Sequence, residues 1–168
     1  HSFPTRRCSG LTGKEGPSAE IRAVFEREYV APDLPLRYRD HRAQHNAEDG
    51  RIEHLSARID IDGVERTLQG AGNGPVDAFV HVLRNALALD IHVQNYHEHG
   101  VGAGEDATAV SYVQLRVGAD RAVYGVGLDS NIVTATLKAV VSAVNRGVAQ
   151  GMLALPAGAI PARKTITA

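Results

Sequence analysis

One order of patterns occurs twice along this chain of 168 residues: an alternating strand, a glycine-containing turn, a returning strand, a glycine pair and a helix. The turn glycines Gly63 and Gly118 lie 55 positions apart, and the pairs in Gly70–Gly72 and Gly125–Gly127 have the same spacing. Self-similarity at a fixed spacing indicates a repeated structural unit. The chain is therefore expected to fold as two copies of one unit.

The first unit has the clearest strand and turn signals. Leu55, Ala57, Ile59 and Ile61 alternate with polar residues, which predicts a half-buried strand over Ile52–Ile61. Asp-Gly at 62–63 is a hairpin signal. The other predicted elements are an edge strand over Leu36–Gln44, a turn over Asn46–Gly50, a partner strand over Val64–Gly70, and a helix that opens at Gly72–Pro75 with Val76, Phe79, Val80, Leu83 and Leu87 on one face.

The second unit repeats these elements. Its helix is predicted to bury Ile132, Ala135, Ala139, Val140, Ala143 and Val144. Val76 and Ile132 match at 56 positions, which predicts one inserted residue at the helix entrance. The predicted elements are strands Ile91–His99, Thr108–Val117 and Arg121–Gly127, a glycine-rich loop through Gly100, Gly102 and Gly104, a turn over 118–120, and a helix over about Asn131–Gln150.

These patterns predict an α+β fold with two pseudo-symmetric βββα units and antiparallel sheets, because hairpins dominate the connections. A short helix around Ile21, Val24 and Phe25 is expected to precede them. The predicted organisation is a leader over 1–13, whose first eight residues read like a translated sequencing adapter, a partial linker over 14–35, one domain over 36–150 and a flexible tail over 151–168.

The charge balance and the cysteine count narrow the class of protein. Eighteen Lys and Arg residues against 19 Asp and Glu residues give no basic surface for nucleic acid or an anionic membrane. No apolar run approaches the roughly 20 residues that cross a bilayer. A single cysteine, Cys8, forms no intrachain disulfide and suits a reducing cytosol. We expect a soluble cytoplasmic protein with no nucleic-acid or membrane partner.

Two motifs could belong to a functional site, but neither specifies a reaction or a ligand. His97 and His99 would share one face of a strand, but no third ligand has the right spacing, so polar residues on a partly exposed strand are the better interpretation and no metal site is predicted. The segment Gly100–Ala107, with its two carboxylates, is either a lid or a solvated connector. Nucleophile elbows and cysteine–histidine pairs are lacking. No catalytic residue is predicted.

The loop Gly70–Pro75 has two interpretations. Its glycines would let the backbone approach a ligand, and the following helix would offer N–H groups to a carboxylate or phosphate. It lacks the spacing of dinucleotide and phosphate-binding loops. Taken alone, it is better explained as a tight strand-to-helix turn.

Taken together, the motifs resemble one known family. The ordered set is Gly70–Ala78 (GAGNGPVDA), Val93–His99 (VQNYHEH), Gly104–Ala107 (GEDA), Tyr124–Ile132 (YGVGLDSNI) and Ala139–Arg146 (AVVSAVNR). This set, over roughly residues 36–146, is similar to the C-terminal allosteric domain of 2-isopropylmalate synthases, especially the actinobacterial type. Upstream, Phe25–Pro32 resembles the end of the linker subdomain in the same enzymes.

The resemblance implies a function for the chain as part of a larger enzyme. Such enzymes condense acetyl-CoA with 2-oxoisovalerate in leucine biosynthesis, using a divalent metal in a TIM barrel. Their regulatory domain consists of two βββα units and binds L-leucine as a feedback inhibitor near the contact between two domains of a homodimer. The chain would then be a fragment without the catalytic barrel, inactive alone, with no cofactor of its own and with that barrel as a partner.

The resemblance also implies a leucine site. On the ligand loop and helix entrance fall Gly72, Asn73, Gly74, Val76 and Asp77, and on the positions that line the side-chain pocket fall Val93, Tyr96, Gly100, Ala107 and Ile132. Asp77 is a candidate for the ammonium group, although the family often has an uncharged residue there. Gly100 replaces a slightly larger residue, which leaves the pocket size open.

Three other functions remain as alternatives. The nearest is the regulatory domain of a citramalate synthase that senses isoleucine, from which the pocket residues do not separate the chain. A free-standing small-molecule-binding or dimerisation module is the second, and the partial linker helix argues against it. An independent enzyme is the third, which turnover by the isolated chain would support.

Overall fold

A computed structural model describes residues 23, 34–102, 104 and 107–156, and it confirms the predicted α+β fold with two βββα units. The predicted leader, nearly all of the linker helix and the tail beyond residue 156 lie outside the described residues. The elements are β1 (Leu36–His45), β2 (Ile52–Ile61), β3 (Val64–Gly72), α1 (Pro75–Leu87), β4 (Ile91–Val101), β5 (Thr108–Val117), β6 (Arg121–Asp129) and α2 (Ile132–Ala149).

Each unit contributes one antiparallel three-stranded sheet, in the order β1-β2-β3 and β4-β5-β6. In the first hairpin Ile61 pairs with Val64 across a two-residue turn. Asp62 and Gly63 take positive φ values of 48° and 83°, the left-handed conformations that such short hairpin turns require.

The second hairpin corrects the predicted position of the inserted residue. Val117 pairs with Arg121, so this turn has three residues, 118–120, instead of two. The helices begin at Pro75 and Ile132, which are 132 − 75 = 57 positions apart. The extra length of the second unit therefore lies before the helix, and one residue of it lies in the hairpin turn.

Two β-bulges provide independent evidence for the repeat. The pairing of β1 with β2 shifts between Tyr38 and Asp40, and the pairing of β4 with β5 shifts between Val93 and Asn95. The skipped residues, at 39 and 94, are again 55 positions apart. Because a bulge re-aims the residues that follow it, both edge strands bend at the same place.

The two helices lie between the two sheets and share one core. Helix α1 packs on β2 and β3 and also contacts β4, whereas α2 packs on β5 and β6 and also contacts β1. The largest buried side chains come from both units and include Leu36, Leu55, Ile59, Phe79, Leu83, Ile91, Leu115 and Leu137. The units therefore form one domain instead of two.

A buried amide joins the units at the start of β1. Asn145 on α2 accepts a hydrogen bond from the Leu36 N–H and donates one to the Leu36 carbonyl, each over 2.9 Å. Asn145 is 3% exposed. We call this pair of bonds the Asn145 clasp.

Two expectations about single elements are wrong. Of the six residues predicted to be buried on α2, five are fully buried, but Ile132 is 43% exposed, because it begins the helix where the sheet no longer covers it. Strand β4 also runs through Gly100 to Val101, since Gly100 pairs with Ala109. The loop that follows is therefore shorter than predicted.

Helix α2 has the length and apolar composition of a membrane-spanning helix. Most of its surface is buried between the sheets, and a core helix passes the same test.

Candidate functional site

Both helices begin at the same end of the sandwich. Asn145, near the end of α2, contacts Leu36 at the start of β1, while Thr134 in the first turn of α2 lies near the Tyr38 hydroxyl further along that strand. Strand β1 therefore runs antiparallel to α2. We call the contact between the helix of one unit and the edge strand of the other a seam. At the same end, the α1–β4 seam contains the start of α1 and the second half of β4, so loops and helix N-termini of both units meet there.

An open crevice of about 500 Å³ lies between α1 and β4 at this end. Six of the ten predicted ligand residues line it: Asn73, Gly74, Val76, Asp77, Val93 and Tyr96. Pro75, Val80, His81, Arg84 and His92 complete its walls, and the sequence prediction missed them. The i, i+4, i+7 spacing of Asp77, His81 and Arg84 is the signal that could have placed the last two on the same helix face.

The entrance of α1 leaves hydrogen-bond donors free for a ligand. Gly74 is the N-cap residue and provides no side-chain cap, and Pro75 has no N–H. The first helical N–H with an intrahelical partner is that of Ala78, which donates to the Gly74 carbonyl over 2.9 Å. The N–H groups of Val76 and Asp77 therefore have no helical acceptor. With the positive end of the helix dipole, they favour a negatively charged group.

Side chains brace the loop in front of the helix. Asp77 accepts a hydrogen bond from the Asn73 N–H over 2.8 Å, and its other oxygen lies 3.5 Å from His81 Nε2. Arg51 donates from Nε and Nη2 to the side-chain oxygen of Asn73 over 3.1 and 3.0 Å. Side chains from the turn before β2 and from α1 therefore support the loop from both sides.

Gly72 is required for this arrangement by close packing. A Cβ atom at Gly72 would lie 2.6 Å from the Ala78 nitrogen and 2.7 Å from a carboxylate oxygen of Asp77. Gly72 lines a second, more polar pocket that shares Asn73, Asp77 and His81 with the open crevice. Its role is to let β3 pass beneath the first turn of α1.

The other three predicted residues do not line the open crevice. Gly100 lies four residues beyond Tyr96 on β4, Ala107 precedes β5 and donates its N–H to the Gly104 carbonyl over 3.2 Å, and Ile132 begins α2. They occupy the same end of the molecule, beyond the α1 entrance. Nothing in the described residues closes a pocket around all ten.

A polar cluster on β4, β5 and α2 is a further feature that sequence reasoning missed. The Thr136 hydroxyl lies 2.8 Å from a carboxylate oxygen of Glu98 and 2.9 Å from the Ser111 hydroxyl. Thr136 and Ser111 are fully buried, whereas Glu98 is exposed. Only the pairing of β4 with β5 brings these three residues together, so no local pattern marks them.

The two histidines considered for a metal have ordinary contacts. His97 pairs with Tyr112, and the His99 ring packs edge-on against the Tyr112 ring at 5.8 Å between centroids. Within the part of the chain that the structure describes, no three His, Cys, Asp or Glu side chains lie close enough to share a metal ion.

The position related to the open crevice by the repeat, between α2 and β1, is filled by Tyr38. Tyr38 corresponds to Val93, since 93 − 38 = 55. Its hydroxyl lies 2.7 Å from His41 Nδ1, and its ring packs edge-on against Phe79 at 6.3 Å. Burial raises the pKa of Tyr38 to about 12 and lowers the pKa of His41. We call this position the filled crevice.

The entrance of α2 is also closed by its own residues. The Asn131 side chain accepts a hydrogen bond from the Thr134 N–H over 3.1 Å, which caps the helix. Asp129 forms a 2.9 Å ion pair with Lys138. Burial raises the pKa of Asp129, but hydrogen bonds from the Asn131 N–H and from Lys138 outweigh it and hold that pKa below its usual value.

Comparison with known proteins places these features in a family. The family model of the LeuA allosteric (dimerisation) domain matches residues 15–148.

The chain is similar to proteins named 2-isopropylmalate synthase. It is 41% identical over 140 residues to the one from Cupriavidus taiwanensis, covering 83% of this chain and 24% of the relative. It is 43% identical over 138 residues to the one from Mycobacterium ulcerans, covering 82% and 24%. With the one from Paraburkholderia xenovorans the identity is 40% over 151 residues, covering 89% and 25%. The chain spans about a quarter of the length of these curated relatives.

Proposed function

The chain belongs to the LeuA allosteric (dimerisation) domain family, and from that premise we propose that it is the leucine-sensing regulatory domain of a cytoplasmic 2-isopropylmalate synthase. Its partners are L-leucine, a second copy of the domain and the catalytic barrel of the same parent chain. That barrel, with its divalent metal, carries out the condensation of acetyl-CoA with 2-oxoisovalerate. The proposed part of this chain in the reaction is regulation.

The observation that carries the proposal is the open crevice at the entrance of α1. It has an apolar wall formed by Val76, Val80 and Val93, and a polar end where the N–H groups of Val76 and Asp77 have no helical acceptor. A free amino acid needs donors for its carboxylate, and an isobutyl group needs apolar surface. Leucine offers both groups a few ångströms apart.

Inhibition follows only if leucine binds one state of the enzyme better than another. The site lies where elements of both units meet, so a bound ligand would contact the α1 entrance and β4 together. We propose that leucine acts by holding these elements, and through them the dimer, in the inhibited arrangement.

A second candidate is the isoleucine-sensing domain of a citramalate synthase. The two effectors differ in where the side chain branches, and the same three valines would face either one. The relatives named above favour the leucine-dependent enzyme.

Calorimetric titration of the 168-residue chain with L-leucine, L-isoleucine and L-valine tests the proposal. Saturable binding with leucine preferred is expected. Val93→Tyr gives a specific variant, because tyrosine is the residue that fills the crevice related by the repeat. It should abolish leucine binding while circular dichroism stays unchanged, and Tyr38→Phe is the matched control that should bind normally.

Preference for isoleucine would transfer the chain to the citramalate synthase alternative. A folded dimer that binds none of the three amino acids would overturn the sensing function.

A further inference from the structure

We propose that Glu98 binds the α-ammonium group of the effector and so restricts the site to amino acids. This inference rests on the proposed function. It assigns a role to a residue that lies outside the predicted ligand set and is exposed on β4.

Glu98 occupies the middle of the part of the site that lies beyond the open crevice. It lies on β4 between Tyr96 and Gly100, and these three residues share the sheet face that is directed toward the helices, because side chains alternate along a strand. Successive residues on one face are about 7 Å apart. A ligand in contact with Tyr96 is therefore within reach of the Glu98 carboxylate.

Buried hydroxyl groups hold the Glu98 carboxylate in place. Thr136 and Ser111 are both fully buried, and their hydroxyl oxygens lie 2.9 Å apart. The Thr136 hydroxyl lies 2.8 Å from one carboxylate oxygen of Glu98 and 3.1 Å from the Ile132 carbonyl. Thr136 can thus donate to Glu98 while Ser111 donates to Thr136. A buried chain of this kind orients the acid without neutralising its charge.

No positive partner satisfies that charge in the described part of the chain. No Lys, Arg or His nitrogen there lies within 4 Å of the Glu98 carboxylate, and the side chain is exposed on its outer side. The charge of Glu98 is therefore oriented, accessible and unpaired, which is the state expected of a group that waits for a cationic ligand.

Asp77, the other carboxylate considered for this role, is already engaged. One of its oxygens accepts the Asn73 N–H over 2.8 Å, and the other faces His81 at 3.5 Å. Its position at the start of α1 is also the position where a ligand carboxylate would bind. At that point the Asp77 carboxylate stabilises the loop and is poorly placed to bind an ammonium group.

We expect Glu98 and the α1 entrance to bind the two charged groups of one zwitterion. The N–H groups of Val76 and Asp77 favour the carboxylate, and Glu98 lies on the far side of Tyr96 to receive the ammonium. The corresponding 2-oxo acid carries the same side chain and a carboxylate but no ammonium, so it would leave Glu98 unpaired. The site should therefore reject the 2-oxo acids among which a branched-chain synthase works.

Two ligands separate the ammonium contact from the other contacts. The 168-residue chain is titrated with L-leucine and with 4-methylpentanoate, which is leucine without its amino group. Glu98→Gln keeps the shape of the side chain and should weaken leucine about 10- to 100-fold, the range expected for loss of a hydrogen bond to a charged group. It should leave 4-methylpentanoate unchanged or improve it. Glu65→Gln, on the opposite sheet beside Arg58, is the matched control and should change neither ligand.

Thr136→Val provides a second test, because it releases Glu98 while keeping its charge. A smaller loss of leucine affinity than in Glu98→Gln, again without an effect on 4-methylpentanoate, is the expected result.

The possible failures are distinguishable. If the unaltered chain does not bind leucine, the proposed function fails. If it binds leucine and Glu98→Gln weakens both ligands equally or neither, the inference fails while the function stands. A selective loss in Asp77→Asn with normal binding by Glu98→Gln would assign the ammonium to Asp77 and also overturn it.

Discussion

The two βββα units share one plan but differ in how closely each helix meets its sheet. A Cβ atom at Gly125 or Gly127 would lie 2.1 and 2.0 Å from main-chain carbonyl oxygens of α2, whereas a Cβ atom at Gly70 would first meet a methyl group of Val82 at 2.7 Å. In the second unit the backbones themselves are in contact. In the first unit part of the contact is made by a side chain that can move.

The same contrast recurs at the helix entrances. Asn131 caps α2 and Tyr38 fills the crevice beside it, but Gly74 leaves α1 uncapped and Val93 leaves its crevice open. The Asn145 clasp also belongs to the seam between α2 and β1 only. The related position on α1 is Ala88, which ends that helix. The repeat thus contains two similar seams, of which one is closed by its own residues and the other is open.

The largest effect should come from filling the space beneath α2. Gly127→Ala forces a methyl group against the backbone of α2, which cannot yield as a side chain can, and should lower the free energy of unfolding by about 3 kcal/mol or more. Gly70→Ala, in the glycine pair of the first unit, should cost about 1 kcal/mol. Urea denaturation of both variants measures the difference. Equal losses would contradict the view that the second unit is packed more tightly.

The Asn145 clasp should have the next largest effect. Asn145→Ala leaves the buried N–H and carbonyl of Leu36 without partners, which should cost about 2 kcal/mol. Asn95→Ala, at an exposed amide on the outer face of β4, is the control and should cost less than about 0.5 kcal/mol. Thermal denaturation at one protein concentration compares them, because a dimer's stability depends on concentration. A harmless Asn145→Ala would mean that the seam is held by apolar packing alone.

Changes to the helix caps should have opposite effects on stability at the two entrances. Asn131→Ala removes the α2 cap and should lower stability by about 1 kcal/mol. Gly74→Ser should add a few tenths of a kcal/mol, because glycine is already a tolerable N-cap and no atom lies within 4 Å of the added Cβ. Calorimetric melting gives both values. The added hydroxyl should also compete with a ligand carboxylate, so an unchanged leucine affinity would argue against carboxylate binding there.

The smallest effect concerns the pH dependence of Tyr38. Its pKa is about 12 in the folded chain, above the usual tyrosine pKa of 10.0, because the ring is partly buried. The stability that the neutral hydroxyl contributes is therefore complete below pH 10 and is lost as the pH rises toward 12. Because Tyr38 is only half-buried, solvent limits the change to about 1 kcal/mol. The difference in urea midpoint between the unaltered chain and Tyr38→Phe should be smaller at pH 11 than at pH 8. Tyr124→Phe, at an exposed tyrosine, should leave the pH dependence of the urea midpoint unchanged.

Features with a local cause could be predicted from the sequence. The alternation in Ile52–Ile61 and the Asp62-Gly63 turn place β2 and its hairpin turn to the residue, and the periodicity of the helices places both within a residue or two. Gly100 was assigned to a loop because glycine is frequent in loops, but its pairing with Ala109 is a contact between strands that no short window contains. Helical periodicity likewise cannot distinguish Ile132, at an uncovered helix end, from the buried residues that follow.

The candidate site was predictable only as far as the family motifs extend. They brought Asn73, Gly74, Val76, Asp77, Val93 and Tyr96 into one crevice, although the sequence alone favoured an ordinary turn there. The plug formed by Tyr38 has no such signal, because its partners His41, Phe79 and Thr134 come from three different elements. The contrast between an open and a filled seam is therefore a property of the tertiary structure.

Helix α2 also connects two distant points of the domain. From Ile132 to Asn145 it spans about 20 Å at 1.5 Å per residue, and at its far end the Asn145 clasp grips Leu36, the residue through which the preceding chain enters the sheet. Because α2 is one continuous helix, a tilt at Ile132 would shift Leu36 as well.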